Sequence, residues 1–228
     1  MRFVRSCSAA LSAETAQAMR AEFGAPVFSA YGMTEATHQV ASTRDDRAVT
    51  TGLVGRSSGV EIRIVGEDGC PAAGDGGEVW LRGRTVVRGY LANPGATAQT
   101  FTDGWLHTGD LGSLSEAGEL TLRGRIKELI NRAGEKISPE RVEAVLSSHP
   151  NVTEAAVYGV ADPLYGETVA AAVVPASSAA PSVAELAQFC RERLAPFEVP
   201  ASIHVADELP HTAKGSVDRR AVAERFRR

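Results

Sequence analysis

Two adjacent side chains, Thr34 and Glu35, have the chemistry of a phosphate and metal site. They follow a predicted strand in the run Tyr-Gly-Met-Thr-Glu. A threonine hydroxyl can donate to a phosphate oxygen, and a carboxylate is the hard oxygen ligand that Mg²⁺ prefers. Gly32 lets the backbone approach a flat ring, and Tyr31 can stack on such a ring. The ordinary alternative is that Thr34 caps a helix and Glu35 is an acid in its first turn.

A second candidate, Asp110, ends a segment that is rich in turn residues and begins at Phe101. An ionised carboxylate has two acceptor oxygens, so it can accept from both hydroxyls of a ribose. The preceding Thr108 and Gly109 predict a turn, and we expect the acid to be exposed there. The alternative is an Asx turn, in which the carboxylate accepts from the local backbone.

Residues 122–139 are predicted to form a joint rather than part of a core. Gly124 is expected to break an extended run, and Asn131 to Gly134 has the composition of a tight turn. Ser138 and Pro139 then begin a helix as its N-cap and first residue. A surface hairpin followed by a helix is the alternative on spacing alone. Charged side chains lie between the glycine and the turn, at Arg125, Lys127 and Glu128.

The elements around these residues indicate two parts of different architecture. Residues 1–50 show strand–helix–strand order, typical of an α/β unit, and residues 51–124 have recurrent glycines between short alternating runs, which predict a small β-barrel or a folded sheet. Residues 125–228 mix helices and strands, so they predict a small α+β domain. Helices are expected over 13–23, 139–148, from 183, and 217–226, and strands over 3–9, 27–31, 60–65, 78–82, 119–122, 152–160, 169–174 and 203–205.

Composition excludes several classes of function. A net charge of −4 argues against nucleic-acid binding. The basic C-terminal run, the five arginines within residues 219–228, is interpreted as the solvated side of a helix. The longest apolar runs are about six residues, which is too short for a membrane span. Three widely spaced cysteines, without a C-x-x-C pair, favour a reducing, cytoplasmic compartment.

Four segments in order resemble the adenylate-forming superfamily of acyl- and aryl-CoA ligases, luciferases and adenylation domains. They are Y-G-M-T-E, T-G-D, G-R-I-K-E followed by G-E-K-I-S-P, and P-H-T-A-K-G at residues 210–215. The resemblance covers the whole chain and matches the C-terminal half of such an enzyme. Within the family, M-T-E-A-T-H and N-R-A-G-E-K-I-S-P are most similar to the oxalate–CoA and coumarate–CoA ligase branch.

The resemblance implies a function and a role for each candidate residue. The expected fold is the remainder of a large AMP-binding domain, residues 1–124, followed by a mobile domain, residues 125–228. The expected reaction uses ATP, Mg²⁺ and CoA to convert a small acid such as oxalate into an acyl-adenylate and then a thioester. The resemblance implies phosphate contact by Thr34, Mg²⁺ ligation by Glu35, adenine packing by Tyr31 with Gly32, and ribose contact by Asp110 and Arg125. It also implies a hinge at Lys127, a CoA-facing loop with Gly134 and Lys136, and a contact to the acid substrate by His38. The alternative for His38 is an ordinary surface histidine.

Two departures from the family pattern affect the adenylation step. No stretch in residues 1–30 resembles the family's glycine-rich phosphate loop, so the chain is expected to be truncated at the N-terminus. The family's last motif is T-x-x-G-K, but Ser216 follows the glycine here, and Lys214 precedes it. Positions i and i+2 of an extended segment lie about 6.5 Å apart, so Lys214 would act from a different place.

Two alternatives remain open from the sequence. The acceptor can be the phosphopantetheine of a separate carrier protein rather than CoA. The chain can also be a non-catalytic or split fragment that binds nucleotide or a partner chain. A division through an α/β unit predicts exposed apolar strand faces, and hence self-association or binding of an upstream half-enzyme.

Overall fold

The computed structural model describes residues 1–7, 11–44, 50, 52–72, 76–176, 180–213 and 215–226. The chain divides into two compact units, Met1–Ile126 (unit 1) and Lys127–Arg228 (unit 2). Unit 1 combines a strand–helix–strand opening with a β-rich remainder, and unit 2 packs helices on a second sheet. The predicted fold class is therefore confirmed.

Unit 1 begins with a short α/β element. Helix α1 (Ala13–Phe23) starts at Ser12, whose hydroxyl accepts from the Thr15 amide, and it stops at Gly24 in the left-handed conformation. The helix lies between β1 (Val4–Ser6) and β2 (Val27–Tyr31), which pair in parallel. β1 begins one residue later than predicted, and the end of the predicted strand, residues 8 and 9, lies outside the described residues.

The strands of unit 1 form one open sheet within the described part of the chain, in the order β1-β2-β3-β4-β9-β8-β6-β5, with β7 paired to β8. Its core is a cluster of buried aliphatic side chains that includes Val40, Val79, Leu81, Leu106 and Leu120. The remaining strands are β3 (Ala41–Ser42), β4 (Leu53–Ser57), β5 (Glu61–Val65), β6 (Gly77–Arg82), β7 (Phe101–Thr102), β8 (Trp105–Leu114) and β9 (Glu119–Arg125).

Two sequence expectations for this sheet are wrong. β9 does not end at Gly124 but continues through it to Arg125, because a bulge with one extra residue, Arg123, lies beside the glycine, which adopts φ of 133°. The segment that ends in Asp110 is largely strand rather than turn, and Asp110 is buried, with 5% exposure. Asp110 pairs with Arg125 of β9, and the side chain of Tyr31 contacts its carboxylate from β2. Sequence reasoning also missed helix α2 (Pro94–Thr100), which Asn93 caps.

Unit 2 is built on a long antiparallel pair, β12 (Val152–Asp162) and β13 (Gly166–Pro175). β14 (Ser202–Val205) pairs in parallel with β13, and β10 (Ile130–Arg132) joins its other end. The turn between β10 and β11 (Glu135–Ile137) consists of Ala133 and Gly134, both at positive φ. The helices of this unit are α3 (Pro139–Ser147), α4 (Val183–Arg191) and α5 (Arg219–Phe226).

Helices α3 and α4 bury the apolar stripe that their spacing predicts. Leu146 of α3 and both Leu186 and Cys190 of α4 are fully buried in one cluster. Val183, which was expected to face inward, is 47% exposed because it is the first residue of α4. Across the described helices, none has both the length and the apolar character needed to cross a membrane.

The last helix differs from its prediction in two ways. α5 begins at Arg219 rather than at residue 217, because Asp218 caps it by accepting from the Ala221 amide. The basic C-terminal run is not uniformly solvated. Arg220 is exposed, but Arg219 is half-buried among carboxylates.

Candidate functional site

Asp110 is the centre of the candidate nucleotide site in unit 1. Tyr31 donates its phenolic hydroxyl to Oδ2 of Asp110. Arg125 lies directly opposite on β9, and its Nε is 2.8 Å from Oδ1. The three residues come from three separate motifs of the sequence. In the described part of the chain each carboxylate oxygen therefore has one protein partner, and its remaining lone pair is available to a ligand.

A bulge in β8 aims Asp110 into this position. Residues 108–110 lie opposite the single residue between Glu78 and Trp80 of β6. The Thr108 hydroxyl donates to the Val79 carbonyl and accepts from the Asp110 amide, at 2.7 and 3.0 Å. Gly109 has φ of 70° and donates its amide to Glu78. Such bulges redirect single side chains, which explains why a turn-like sequence is found within a strand.

The contact between Tyr31 and Asp110 requires a strongly curved sheet. Their strands, β2 and β8, are separated by β3, β4 and β9 in the sheet order. Neighbouring strands lie about 4.8 Å apart, so a flat sheet would separate the two by about 19 Å. The hydrogen bond between the two side chains forms only because the sheet bends the end of β2 towards β8.

We predict that Tyr31 remains protonated where ordinary tyrosines ionise. Burial, followed by the charge of Asp110 and the hydrogen bond to it, raises the pKa of Tyr31 far above its usual range. The unfolded phenol loses its proton near pH 10, so this contribution to stability is present below about pH 10 and is lost as pH rises further. Phenolate absorbance should be the same in wild type and Tyr31→Phe up to that pH.

The control is Tyr165→Phe, because Tyr165 is 40% exposed. The same measurement on this variant gives the absorbance change that follows loss of one of the four tyrosines outside the contact with Asp110. The prediction would be contradicted by a phenolate signal near pH 10 that is present in folded wild type and absent from folded Tyr31→Phe.

The loop that follows β2 folds tightly on itself. His38 donates its amide to the Met33 carbonyl at 2.8 Å, and Val40 donates to the Tyr31 carbonyl at 2.9 Å. A β-carbon on Gly32 would lie 1.3 Å from the His38 carbonyl oxygen, so the loop closes only over a residue without a side chain. Residues 34–36 form a 3-10 turn inside this loop.

Glu35 is held by a segment that sequence reasoning did not identify. Its Oε1 accepts from the Tyr90 hydroxyl at 2.9 Å, and its backbone carbonyl accepts from the Val87 amide at 2.8 Å. Burial, and then the hydrogen bond to Glu35, raises the pKa of Tyr90. Tyr90 lies in an irregular stretch without a periodic pattern, so no sequence signal singles it out.

Two other predicted residues of this loop face solvent. Thr34 and His38 are both exposed, and His38 has φ of 72°. Within the described residues, no group of three or more His, Cys, Asp or Glu side chains is arranged to hold a metal ion. Glu35 offers a single carboxylate, and a Mg²⁺ site in which substrate phosphates share the ion needs only one or two.

The remaining predicted residues lie in unit 2. Lys127 is exposed in the 3-10 turn Ile126–Glu128, and Gly134 and Lys136 are exposed at the β10–β11 turn. Thr212 donates its amide to the Ser216 carbonyl at 2.8 Å, so these two residues of the last motif lie side by side. Lys214, predicted to be catalytic, lies outside the described residues.

Comparisons with known families identify both parts of the chain. Residues 1–91 match the family model for AMP-binding enzymes, and residues 141–216 match that for the AMP-binding enzyme C-terminal domain. The chain belongs to the adenylate-forming, AMP-binding enzyme family. The resemblance inferred from four short motifs is thus confirmed.

The relatives of this AMP-binding enzyme chain include CoA ligases. It is 46% identical to a probable CoA ligase of Humulus lupulus and 44% identical to an oxalate–CoA ligase of Arabidopsis thaliana, in each case over 99% of this chain. Those alignments cover 44% and 45% of the two relatives, so the chain spans less than half of their length. The ATP-bound MatB structure from Rhodopseudomonas palustris matches all of this chain and 46% of its own, with a TM-score of 0.91 and 33% identity.

Proposed function

We propose that this chain carries the nucleotide-facing and thiol-facing parts of an ATP-dependent carboxylate–CoA ligase. The observation that supports this most is the convergence of Tyr31 and Arg125 on the buried carboxylate of Asp110. These residues belong to three motifs of an AMP-binding family, and the curated relatives include CoA ligases. A fixed, partly satisfied carboxylate is a suitable acceptor for the two ribose hydroxyls of a nucleotide.

In the first proposed step, a carboxylate oxygen of the acid attacks the α-phosphate of ATP. An acyl–O–P bond forms, the bond to pyrophosphate breaks, and the products are acyl-adenylate and pyrophosphate. Asp110 and Arg125 hold the ribose, Tyr31 with Gly32 borders the adenine, and the exposed Thr34 hydroxyl donates to the phosphate. Glu35 is the proposed Mg²⁺ ligand, and the ion supplies charge neutralisation to the phosphates when bound.

In the second proposed step, the CoA thiolate attacks the acyl carbon. The thiol loses its proton to solvent before the attack, the carbon–sulfur bond then forms, and the acyl carbon–oxygen bond breaks, so that AMP leaves with its electron pair. We assign the CoA-facing loop to Gly134 and Lys136, and the hinge between the two steps to Lys127. All three are exposed, as these roles require. The predicted division at 124/125 and the mobility of the second domain remain part of this proposal.

The acid is proposed to be small, with oxalate as the first candidate. The support is the 44% identity to the Arabidopsis thaliana oxalate–CoA ligase. His38 is the proposed contact to the acid, and its exposed position leaves it free to meet a charged substrate. A reducing, cytoplasmic compartment is proposed on the three free cysteines Cys7, Cys70 and Cys190.

Lys214 is proposed to supply the positive charge that the family motif places at Ser216. Thr212 and Ser216, which precede and follow Lys214 in the chain, lie together, with 2.9 Å between their hydroxyl oxygens. A lysine stem that is four carbons long can redirect its charge from a neighbouring position. Loss of one preorganised donor of this kind costs about 10²–10³ in rate.

The function is tested on the purified 228-residue chain with three measurements. Calorimetry reports AMP binding, ATP–pyrophosphate exchange with oxalate and other short acids reports the first step, and mass spectrometry reports CoA thioester. We expect oxalate-dependent exchange that Lys214→Ala reduces at least about 100-fold. The exposed cation Arg220 provides the control variant Arg220→Ala, which should leave exchange unchanged.

Each alternative gives a different result. AMP binding without exchange for any acid would overturn the catalytic proposal and support a non-catalytic or split fragment. Exchange without CoA thioester would favour a carrier-protein acceptor. Light scattering on the same sample tests self-association, which the exposed Phe3 and Phe23, 54% and 47% accessible, lead us to propose. Absence of AMP binding would overturn the nucleotide site itself.

A further inference from the structure

Arg219, the first residue of α5, contacts three carboxylates of unit 2. Its Nε and Nη2 lie 2.7 and 2.6 Å from the two oxygens of Glu143, which is a bidentate pair. Its Nη1 lies 2.5 Å from Glu128 and 2.9 Å from Glu140. The side chain of Arg219 is 27% exposed, and that of Glu143 only 17%. These four residues are called the Arg219 cluster below.

The charges of the Arg219 cluster make the arginine hard to replace. Three carboxylates share a single guanidinium, so its loss would leave three negative charges in repulsion at short range. Burial lowers the pKa of Arg219, but the hydrogen bond to Glu143 and the charges of all three carboxylates outweigh burial and raise the pKa above its usual range. A lysine ammonium lacks the planar fork that reaches three partners at once.

Glu143 connects the cluster to the core of unit 2. Its Oε1 also accepts from the backbone amide of Val157 at 2.9 Å. Val157 is fully buried in β12, which pairs along its length with β13. Arg219 and Glu143 are thereby fixed on the sheet. Glu128 is the member that lies outside the helices, and it directly follows Lys127 in the chain.

We propose that Arg219 is a positioning residue that holds Glu128 on the core of unit 2 and so fixes residues 127–130. Backbone rotation at the joint is then confined to the bonds that precede Glu128. The assignment of Lys127 as the hinge rests on the proposed function. The local fixation of Glu128 does not depend on it, because the contacts of the cluster lie within unit 2.

Hydrogen–deuterium exchange of the 228-residue chain, without ATP, acid or CoA, tests this proposal. Arg219→Met removes the charge and keeps most of the side-chain volume, and Glu128→Gln changes the joint residue alone. Both should accelerate exchange about tenfold in peptides that cover residues 127–131, as expected for loss of one charge-assisted contact. The matched control is Arg220→Met, because Arg220 is 89% exposed and pairs with Glu224 one turn along α5.

A merely structural role gives another pattern. If Arg219 only stabilises unit 2, its replacement should accelerate exchange equally in α3 and β12. If Arg219 positions Glu128, β12 should remain protected in Glu128→Gln. If Arg219→Met unfolds unit 2, Glu128→Gln decides the test, and Arg219→Lys should restore only part of the protection. Exchange at residues 127–131 equal to that of Arg220→Met in every variant would overturn the proposal. Because no substrate is present, failure of the ligase assay would leave this result intact.

The rates of the two proposed reaction steps give a second measurement if the purified chain is active. A joint that is no longer fixed should lower the rate of thioester formation from supplied acyl-adenylate more than the rate of pyrophosphate exchange. A simple loss of stability would lower both rates together. An unchanged ratio of the two rates in Glu128→Gln, together with unchanged local exchange, would exclude a positioning role.

Discussion

Replacing Asp110 with Asn is expected to weaken AMP binding about 100-fold. The carboxylate has 5% exposure and accepts from Tyr31 on one oxygen and from Arg125 on the other. An amide has a single acceptor oxygen and an NH₂ group, so one of the two donors would face another donor. A hydrogen bond to a charged group contributes about 1.5–3 kcal/mol, which corresponds to a change of about 10- to 150-fold in affinity. Calorimetric titration with AMP measures the effect.

The fold should survive the Asp110→Asn change. The side chain of Arg125 is 46% exposed, so water can replace the lost partner, and we expect a loss of about 1–2 kcal/mol in the free energy of unfolding. Urea unfolding of unit 1 checks this value. Asp103→Asn is the matched control, because Asp103 is exposed in a turn at φ of 50°, a conformation that Asn also tolerates. Equal AMP affinity in both folded variants would contradict the assignment of Asp110 to the nucleotide.

Replacing Gly32 with Ala is expected to abolish the folded loop after β2, and nucleotide binding with it. The new methyl group would lie 1.3 Å from the His38 carbonyl oxygen, which is part of the backbone. The clash cannot be relieved by a side-chain rotation, because two backbone hydrogen bonds hold residues 31–40 in a closed loop. Overpacking of this kind costs about 1–3 kcal/mol where neighbours can move, and more where backbone must move.

Two measurements follow the Gly32→Ala change. AMP affinity should fall by at least about 100-fold, and Tyr31 should titrate near pH 10 once its contact with Asp110 is lost. The titration remains informative even if wild type does not bind AMP. Gly95→Ala is the control, because a methyl group at Gly95 in α2 would approach nothing closer than 3.9 Å, and alanine favours helix by up to about 1 kcal/mol. The expectation would be refuted by a folded Gly32→Ala variant that binds AMP as tightly as wild type and shows no ionisation of Tyr31 near pH 10.

Local signals allowed much of the secondary structure to be predicted. The predicted bounds of α1 agree with the structure because Ser12 caps one end and Gly24 stops the other. The start of α3 at Pro139 follows from Ser138 in the same way. Both helices depend on residues within one turn of their ends. Their start and stop signals are therefore contained in short stretches of sequence.

Features that depend on distant partners were predicted poorly. Asp110 was expected to be exposed because its neighbours Thr108 and Gly109 are turn residues, but they form a bulge inside β8 that pairing with β6 and β9 covers. Arg219 was interpreted as part of a solvated basic run. Its partner Glu143 lies 76 residues away in sequence, so no local pattern shows the pair.

The sequence by itself determined the family and the order of the four motifs, and it supplied the candidate residues of the proposed nucleotide site. These follow from residue types and spacing, which need no coordinates. Only the tertiary structure decided that Tyr31 and Arg125 meet on opposite oxygens of Asp110, that Tyr90 holds Glu35, and that Arg219 connects Glu128 to a buried strand. The physical reason is that curvature of a sheet and pairing of charges across it arise from many long-range contacts together. No single segment of the chain encodes them.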